Sequence, residues 1–196
     1  MMRSLVRQHG YRIAAGSSER VVERLGRLVL PPALTATLAP LARVLETLTA
    51  EVVTMDRALG AVAKADPIVR RLATVPGVGP IVALSFRAFV DRVDRFGSAA
   101  QVSAAIGLVP GEASSGERQQ RGHITKTGPT ELRSLLVQAA WTCWRTSRGP
   151  LRHWAAQLAA RRGKRIAVVG LARRLSRILY ALWRDETEFH EFRVAA

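Results

Sequence analysis

Two adjacent serines, Ser114 and Ser115, stand in a polar, glycine-rich stretch that could bring a hydroxyl nucleophile to a phosphodiester. The stretch GEASSGERQQRGHITKTG, residues 111–128, also contains several cations, and such groups can offset the negative charge that develops at phosphorus during attack. Serines are common in ordinary surface loops as well, so the residue types alone leave a plain loop as the alternative. His123 has two interpretations in the same way, a general acid or base and an exposed loop histidine.

A second candidate is the turn in LATVPGVGPIVAL, residues 72–84, where Gly77 and Gly79 separate two apolar segments. Glycines let the backbone turn tightly and present N–H groups, together with the positive end of the following helix, to a backbone phosphate. The pattern predicts a helix-hairpin-helix nucleic-acid-binding motif, whose contacts position a strand without reading its sequence. A glycine-rich turn with no ligand is the alternative.

The charge of the chain is strongly positive, with 30 Lys+Arg against 15 Asp+Glu and a net charge of +15. Every charged residue from 145 to 184 is basic, whereas a solvated helix face usually mixes signs. This run predicts contact with nucleic acid and a steep loss of affinity with salt. The candidate contacts at its centre are Arg161, Arg162, Lys164 and Arg165.

Composition excludes several classes of protein. Hydrophobic residues make up 48% of the chain, so we expect a packed core, and no apolar run reaches the roughly 18 residues of a membrane span. The one cysteine, Cys143, excludes an internal disulfide, and four dispersed histidines argue against an imidazole metal site. We therefore expect no metal ligands in this chain, no membrane partner, and a reducing compartment such as the cytoplasm.

Helical periodicity dominates the chain and predicts an all-α fold. Apolar residues alternate at spacings of four and three from Leu41 to Val62, which predicts a coiled-coil-like helix that starts at Pro40. That helix either packs on its own domain or pairs two chains. The other expected helix starts are Asp66-Pro67, Ser98, Pro129, Gly149-Pro150 and Lys164, with a long loop over residues 110–128.

The elements divide the chain into three predicted parts. Residues 1–39 form a basic N-terminal remnant or linker, residues 40–65 the coiled-coil helix, and residues 66–196 a helical domain that contains the hairpin, the serine loop and the basic helices. The first part is rich in arginine and has no acid before Glu19, which is typical of a nucleic-acid-binding edge or of an organellar transit peptide.

Several motifs, taken in order, resemble those of a known family. VPGVGPIVAL is followed by RFGSAAQVSAAIGLVPGEASSGERQQRGHITKTG, then by LRSLLVQAAW and RRGKRIAVVGLARRLSRILYALWRD. From Arg7 onward the chain resembles bacterial insertion-sequence transposases that join an N-terminal RuvC-like domain, with Asp-Glu-Asp-Asp metal ligands, to a C-terminal serine domain. The better-understood members of this family are guided by a bridge RNA.

The resemblance implies that Ser115 is a nucleophile that attacks DNA and forms a phosphoserine link. In the family Gly-Leu-x-Pro is followed by Gln-Ser-Gly, and here residues 107–110 are followed by Ser-Ser-Gly, so Ser114 takes the glutamine position. Lys126 matches the lysine of the family's Ile-Ser/Thr-Lys-x-Gly segment and is expected near the scissile phosphate. Around this loop the candidate nucleic-acid contacts are Arg118, Arg121, Lys126 and Arg133.

Two departures from the family pattern affect the expected activity. Family members continue after the lysine segment with Asn or Asp and a basic pair, whereas residues 129–131 are Pro-Thr-Glu, which removes positive charge beside the site. Before Leu41 only Glu19 and Glu23 are acidic, and two acids cannot supply a two-metal site. We therefore expect a chain that lacks the RuvC-like domain, is inactive alone, and depends on Mg²⁺ held by that domain in another polypeptide.

The resemblance also implies partners and a place in the cell. DNA, a guide RNA, a second copy bound through the coiled coil and an intact transposase are the implied partners, in the bacterial cytoplasm close to the nucleoid. A non-catalytic nucleic-acid-binding module that regulates transposition is the alternative. A generic helix-hairpin-helix accessory of DNA repair would explain VPGVGP but not the Ser-Ser-Gly loop.

Overall fold

The computed structural model describes residues 1–112 and 121–190, and the chain divides into two units, Met1–Ala58 and Leu59–Ala196. Helices dominate both units, which confirms the predicted all-α class. The helices are α1 Met2–Gln8, α2 Val21–Gly26, α3 Pro32–Ala65, α4 Pro67–Leu72, α5 Pro80–Val90, α6 Ala99–Ala105, α7 Thr130–Thr146, α8 Pro150–Arg162 and α9 Lys164–Arg184. Two 3₁₀ turns lie at Ser18–Arg20 and Val93–Arg95, and two short strands are β1 Pro110–Glu112 and β2 Arg121–Ile124.

The first unit has an apolar core of its own. Its buried side chains are Val6, Ile13, Val21, Leu34 and Leu38. Leu34 and Leu38 lie one turn apart on α3, and their burial stabilises the helix ahead of Pro40. The helix therefore begins at Pro32 and contains Pro40, although we expected Pro40 at its start, and a proline there has no N–H to donate to the Ala36 carbonyl.

The heptad residues of α3 are largely exposed. Leu41 and Leu45 are half-buried, whereas the side chains of the next three heptad positions are 58%, 55% and 60% exposed at Leu48, Val52 and Met55. In the described part of the chain this stretch of α3 is therefore not packed on its own unit, which was one of the two interpretations. The coiled coil stays a prediction.

Helix α9 forms the centre of the second unit and packs against α4, α6, α7 and α8. Its buried residues recur at helical spacing, among them Leu171, Leu175 and Leu179. A buried pair of hydroxyls, Ser103 of α6 and Ser176 of α9, lies 3.0 Å apart and satisfies polar groups inside this core. Cys143 is buried in the same core, as we expected.

Side-chain caps begin two of the helices where the sequence predicts them. The Asp66 carboxylate accepts hydrogen bonds from the N–H groups of Ile68 and Val69, and Pro67 takes the first helical position of α4. The Ser98 hydroxyl accepts a hydrogen bond from the N–H of Gln101 and begins α6. Each cap of this kind stabilises a helix by about 1 kcal/mol.

The segment 110–128 differs from the loop that we expected. Its two ends pair as antiparallel strands, with Pro110 opposite Ile124 and Glu112 opposite Arg121, and the register shifts between the two pairs. Gly111 and Gly122 lie within these strands, so the alternation of apolar and polar side chains that marks a strand is absent from the sequence. No helix in the described ranges combines the length and apolar composition of a membrane span.

Candidate functional site

The predicted nucleophile Ser115 lies outside the described residues, as do Ser114 and Arg118. The structure does place the two ends of the segment that contains them, because β1 leads into it and β2 leads out of it. Arg121 belongs to β2 and faces Glu112 in the strand register. The serine segment therefore starts and ends on adjacent strands.

The return from β2 is attached to the end of α6 by backbone hydrogen bonds. The N–H of Thr125 donates to the Val109 carbonyl at 2.9 Å, and the N–H of Lys126 donates to the Gly107 carbonyl at 3.2 Å. Gly107 has a φ of +75°, and a Cβ there would collide with the Thr127 carbonyl oxygen. This close approach explains why a residue without a side chain occupies position 107.

Lys126 has a left-handed backbone, with a φ of +57°, and an exposed side chain. A non-glycine residue in this region costs about 1 to 3 kcal/mol and persists only where the surroundings impose it. The hydrogen bonds on either side of Lys126 supply that constraint. The predicted phosphate contact of this residue is not tested, but its ammonium group is held on a fixed backbone and open to solvent.

Arg133 of α7 is bound to the same segment from the inside. Its Nη1 donates to the carbonyl oxygens of Thr127 at 2.9 Å and Ile106 at 3.1 Å, and its Nη2 donates to the Thr130 hydroxyl at 3.1 Å. The guanidinium is half-buried. The predicted nucleic-acid contact stays a prediction, and sequence reasoning missed the positioning role because its acceptors are mostly backbone carbonyls.

The turn between α4 and α5 contains the other candidate residues, Gly77 and Gly79. Gly77 has a φ of +84°, and a Cβ there would collide with the Ala139 carbonyl oxygen of α7. Gly79 is the N-cap of α5 in an extended conformation, and a Cβ there would meet nothing within 4 Å. Gly77 therefore packs the turn against α7, whereas Gly79 faces open space at the N-terminal end of α5.

The two helices of this turn are also joined through side chains. Arg87 of α5 lies 3.7 Å from the Asp66 carboxylate that caps α4, and its guanidinium lies 4.7 Å from the ring centroid of Trp183. These contacts fix α5 relative to α4 and α9 and so fix the direction of its N-terminus. The geometry allows phosphate contact at Gly79, but the helix-hairpin-helix motif stays a prediction.

The basic residues at the junction of α8 and α9 are exposed. Arg161 and Arg162 end α8, and Lys164 and Arg165 begin α9 after Gly163, whose φ is +83°. Within the described ranges none of these four cations forms an ion pair with a carboxylate. Four unpaired cations within five positions produce a locally strong positive potential at the N-terminus of α9.

Metal-ligating side chains do not cluster in the described ranges. No group of three or more His, Cys, Asp or Glu residues there could hold a metal ion. The side chains in residues 1–112 and 121–190 thus do not fit the two-metal centre that the resemblance assigns to an RuvC-like domain. At the end of α9, a side-chain hydrogen bond from Arg184 lowers the pKa of the exposed Asp185 carboxyl.

Known proteins match most of the chain. Residues 69–155 match the family model described as the Transposase IS116/IS110/IS902 family. The transposase for insertion sequence element IS1111A of Coxiella burnetii is 35% identical over 204 residues, covering 95% of this chain and 54% of the relative. A probable family 20 transposase of Pseudomonas aeruginosa is 34% identical over 161 residues, covering 81% of this chain and 48% of the relative.

The matched region contains both candidate elements described above, the Gly77–Gly79 turn and the segment 110–128. The transposase for insertion sequence element IS1328 of Yersinia enterocolitica is a further relative, 30% identical over 127 residues, covering 63% of this chain and 38% of the relative. The chain spans about half the length of the first two relatives. By these matches the chain is related to the IS116/IS110/IS902 transposases, which supports a transposase-related role.

Proposed function

We propose that this chain is the DNA-handling part of an insertion-sequence transposase, which binds DNA and a guide RNA and presents Ser115 as the nucleophile of strand cleavage. The observation that carries the proposal is the way in which the segment 113–120 begins and ends. It joins two paired strands directly beside Lys126, whose left-handed backbone is fixed by hydrogen bonds while its side chain is exposed.

In this proposal the Ser115 hydroxyl oxygen attacks a DNA phosphorus. The Oγ–P bond forms, the P–O bond to the leaving strand breaks, and the hydroxyl proton ends on the leaving oxygen, so the step is a simple exchange of esters. Lys126 stabilises the extra negative charge at phosphorus. Arg133 acts as a positioning residue because it holds the Thr127 carbonyl beside Lys126.

The carboxylates that bind Mg²⁺ in the family come, in this proposal, from outside the 196 residues of this chain. An intact transposase of the same family supplies them, and a second copy of this chain pairs through the exposed stripe of α3. When bound there, Mg²⁺ supplies charge stabilisation for the phosphodiester. The residues of this chain bind the nucleic acid and supply the attacking hydroxyl.

DNA binding is tested by fluorescence anisotropy with a labelled duplex over a range of salt concentrations. The variant with Arg161, Arg162, Lys164 and Arg165 replaced by alanine should bind more weakly, and its salt slope should fall by about 0.9 for each phosphate that is no longer neutralised. A control in which the three arginines become lysine keeps the charge and should keep the affinity. A parent chain with no salt dependence would contradict the proposal.

One observation favours the second candidate, a non-catalytic nucleic-acid-binding module that regulates transposition. Glu131 is exposed in the first turn of α7, two residues ahead of Arg133, where family members carry positive charge. A carboxylate there repels a phosphate placed beside Lys126. If the chain binds element DNA but never rescues cleavage by an intact partner, even as the Glu131→Lys variant, the regulatory candidate is the better account.

A further inference from the structure

A groove in the second unit lies between α8, α9 and the first residue of α6, with a volume of about 710 Å³. Its size is that of a ligand cleft, and its lining combines an apolar floor with a basic rim. The floor and rim are formed mainly by Trp154, Leu158, Ile178, Arg173, Arg174 and Arg177. None of these residues belongs to the serine segment or to the α4–α5 turn.

The floor of the groove depends on a glycine. A Cβ at Gly170 of α9 would lie 3.0 Å from Leu158 Cδ2 and 3.4 Å from Trp154 Cη2. With only a hydrogen atom at this position, both α8 side chains rest against the backbone of α9. The indole therefore lies low in the groove and remains half-buried, with room above it.

The rim of the groove has cations without carboxylate partners. The guanidinium of Arg174 lies 4.9 Å from the ring centroid of Trp154, so the two planar groups form one stacking platform. The Nε of Arg173 is buried and forms no hydrogen bond within the described ranges. Arg177 is exposed one turn further along α9, and no acidic residue lines the groove among the described residues.

We propose that this groove binds an unpaired stretch of nucleic acid, with one base stacked on the Trp154–Arg174 platform and the flanking phosphates on Arg173 and Arg177. Bases stack on aromatic rings and on arginine planes only when they are free of a duplex, and arginine binds phosphate through paired N–H groups. A duplex would offer phosphates to the rim but would leave the apolar floor uncovered. The inference rests on the proposed function, since it names a second form of nucleic acid that the same chain binds.

The unpaired strand can come from melted DNA or from RNA, since both present a base and phosphates in the same way. The experiment therefore measures anisotropy of the full chain with three labelled probes of equal length, a single strand of DNA, a single strand of RNA and a DNA duplex. Trp154→Ala should lose roughly fivefold or more in affinity for the preferred single strand, the lower end of what one stacked base contributes. Affinity for the duplex should change little.

Three variants separate stacking from folding and from charge. Trp154→Phe keeps an aromatic ring and should retain most of the single-strand affinity. Arg177→Ala removes an exposed cation, leaves the core intact, and should weaken single-strand binding more than duplex binding. Trp141→Ala removes a partly exposed indole on α7, away from the groove lining, and should leave single-strand binding unchanged.

The outcomes distinguish this inference from the proposed function. If the parent binds the duplex but Trp154→Ala and Arg177→Ala leave single-strand affinity unchanged, the groove is not a nucleic-acid site and the proposed function still stands. If the parent binds none of the three probes, both fail. If an acidic peptide displaces nothing from the parent while an unlabelled single strand competes, the occupant is a strand and not a protein.

Discussion

Gly77 and Gly79 lie in one turn but have different surroundings. At Gly77 the backbone is left-handed and α7 leaves no space for a Cβ, whereas at Gly79 the backbone is extended and the space is open. The sequence could identify both as turn glycines, because Pro-Gly-x-Gly marks a turn. It could not separate their roles, since the carbonyl that excludes a Cβ at Gly77 belongs to Ala139, far along the chain.

The two glycines give a paired prediction on stability. Gly77→Ala should lower the free energy of unfolding by about 2 kcal/mol or more, from the left-handed backbone together with the collision. Gly79→Ala should be close to neutral, and Gly79→Leu should weaken DNA binding without unfolding the chain. Urea denaturation measures the first effect and duplex anisotropy the second. Equal stability of the Gly77 and Gly79 alanine variants would contradict the assignment of Gly77 as a packing glycine.

Arg133 supports a prediction about Lys126. Arg133→Ala removes hydrogen bonds to the Thr127 and Ile106 carbonyls, so the segment around Lys126 should open more often. Limited trypsin digestion with mass mapping should then show faster cleavage after Lys126 than in the parent chain. Arg145→Ala removes an exposed arginine near the end of α7 and is the control. Unchanged cleavage after Lys126 in Arg133→Ala would show that Arg133 does not hold this segment.

At the scale of elements, the sequence predicts most helices because their caps and apolar periods are local. Asp66 and Ser98 cap α4 and α6 as we expected. Two features depended on packing or pairing that the sequence does not display. Burial of Leu34 and Leu38 extends α3 through Pro40, and β1 and β2 pair through their backbones across residues that carry no strand pattern.

The exposed stripe of α3 gives a prediction on assembly. Apolar side chains that are more than half exposed at Leu48 and Met55 should pair with a second copy, because burial of each contributes about 1.5 to 3 kcal/mol. Sedimentation of the parent should show a dimer, and Leu48→Lys with Met55→Lys should yield a monomer. Thr47→Lys with Thr54→Lys adds the same charge to exposed positions off the stripe and should leave the dimer intact. A parent that stays monomeric at high concentration rules out the coiled coil.

At the scale of the whole molecule, the chain consists of two units with separate buried cores. The core of the second unit draws its buried side chains from Ala63 to Trp183 and uses none from residues 1–58. The sequence placed the boundary of the last domain at residue 66, close to the unit boundary at Leu59, because Asp66-Pro67 interrupts the helical pattern. The core of the first unit is formed by residues that we had taken as a remnant or linker.

This division predicts how the chain unfolds. A fragment of residues 59–196 should fold and unfold cooperatively, with a midpoint within a few degrees of the main transition of the full chain, because its apolar core is complete. Circular dichroism during heating measures both. A fragment that shows no cooperative transition would mean that the second unit depends on residues 1–58.

The central claim is that this chain brings a serine nucleophile to DNA, and covalent trapping tests it most directly. The full chain, labelled at one end, is incubated with Mg²⁺, DNA from an element end and an intact family transposase whose own serine has been replaced by alanine. We predict a covalent adduct at the mass of this chain plus DNA for the parent and for Ser114→Ala, and none for Ser115→Ala. An adduct of equal yield with Ser115→Ala would contradict the assigned nucleophile, and no adduct from any of the three would contradict the catalytic role itself.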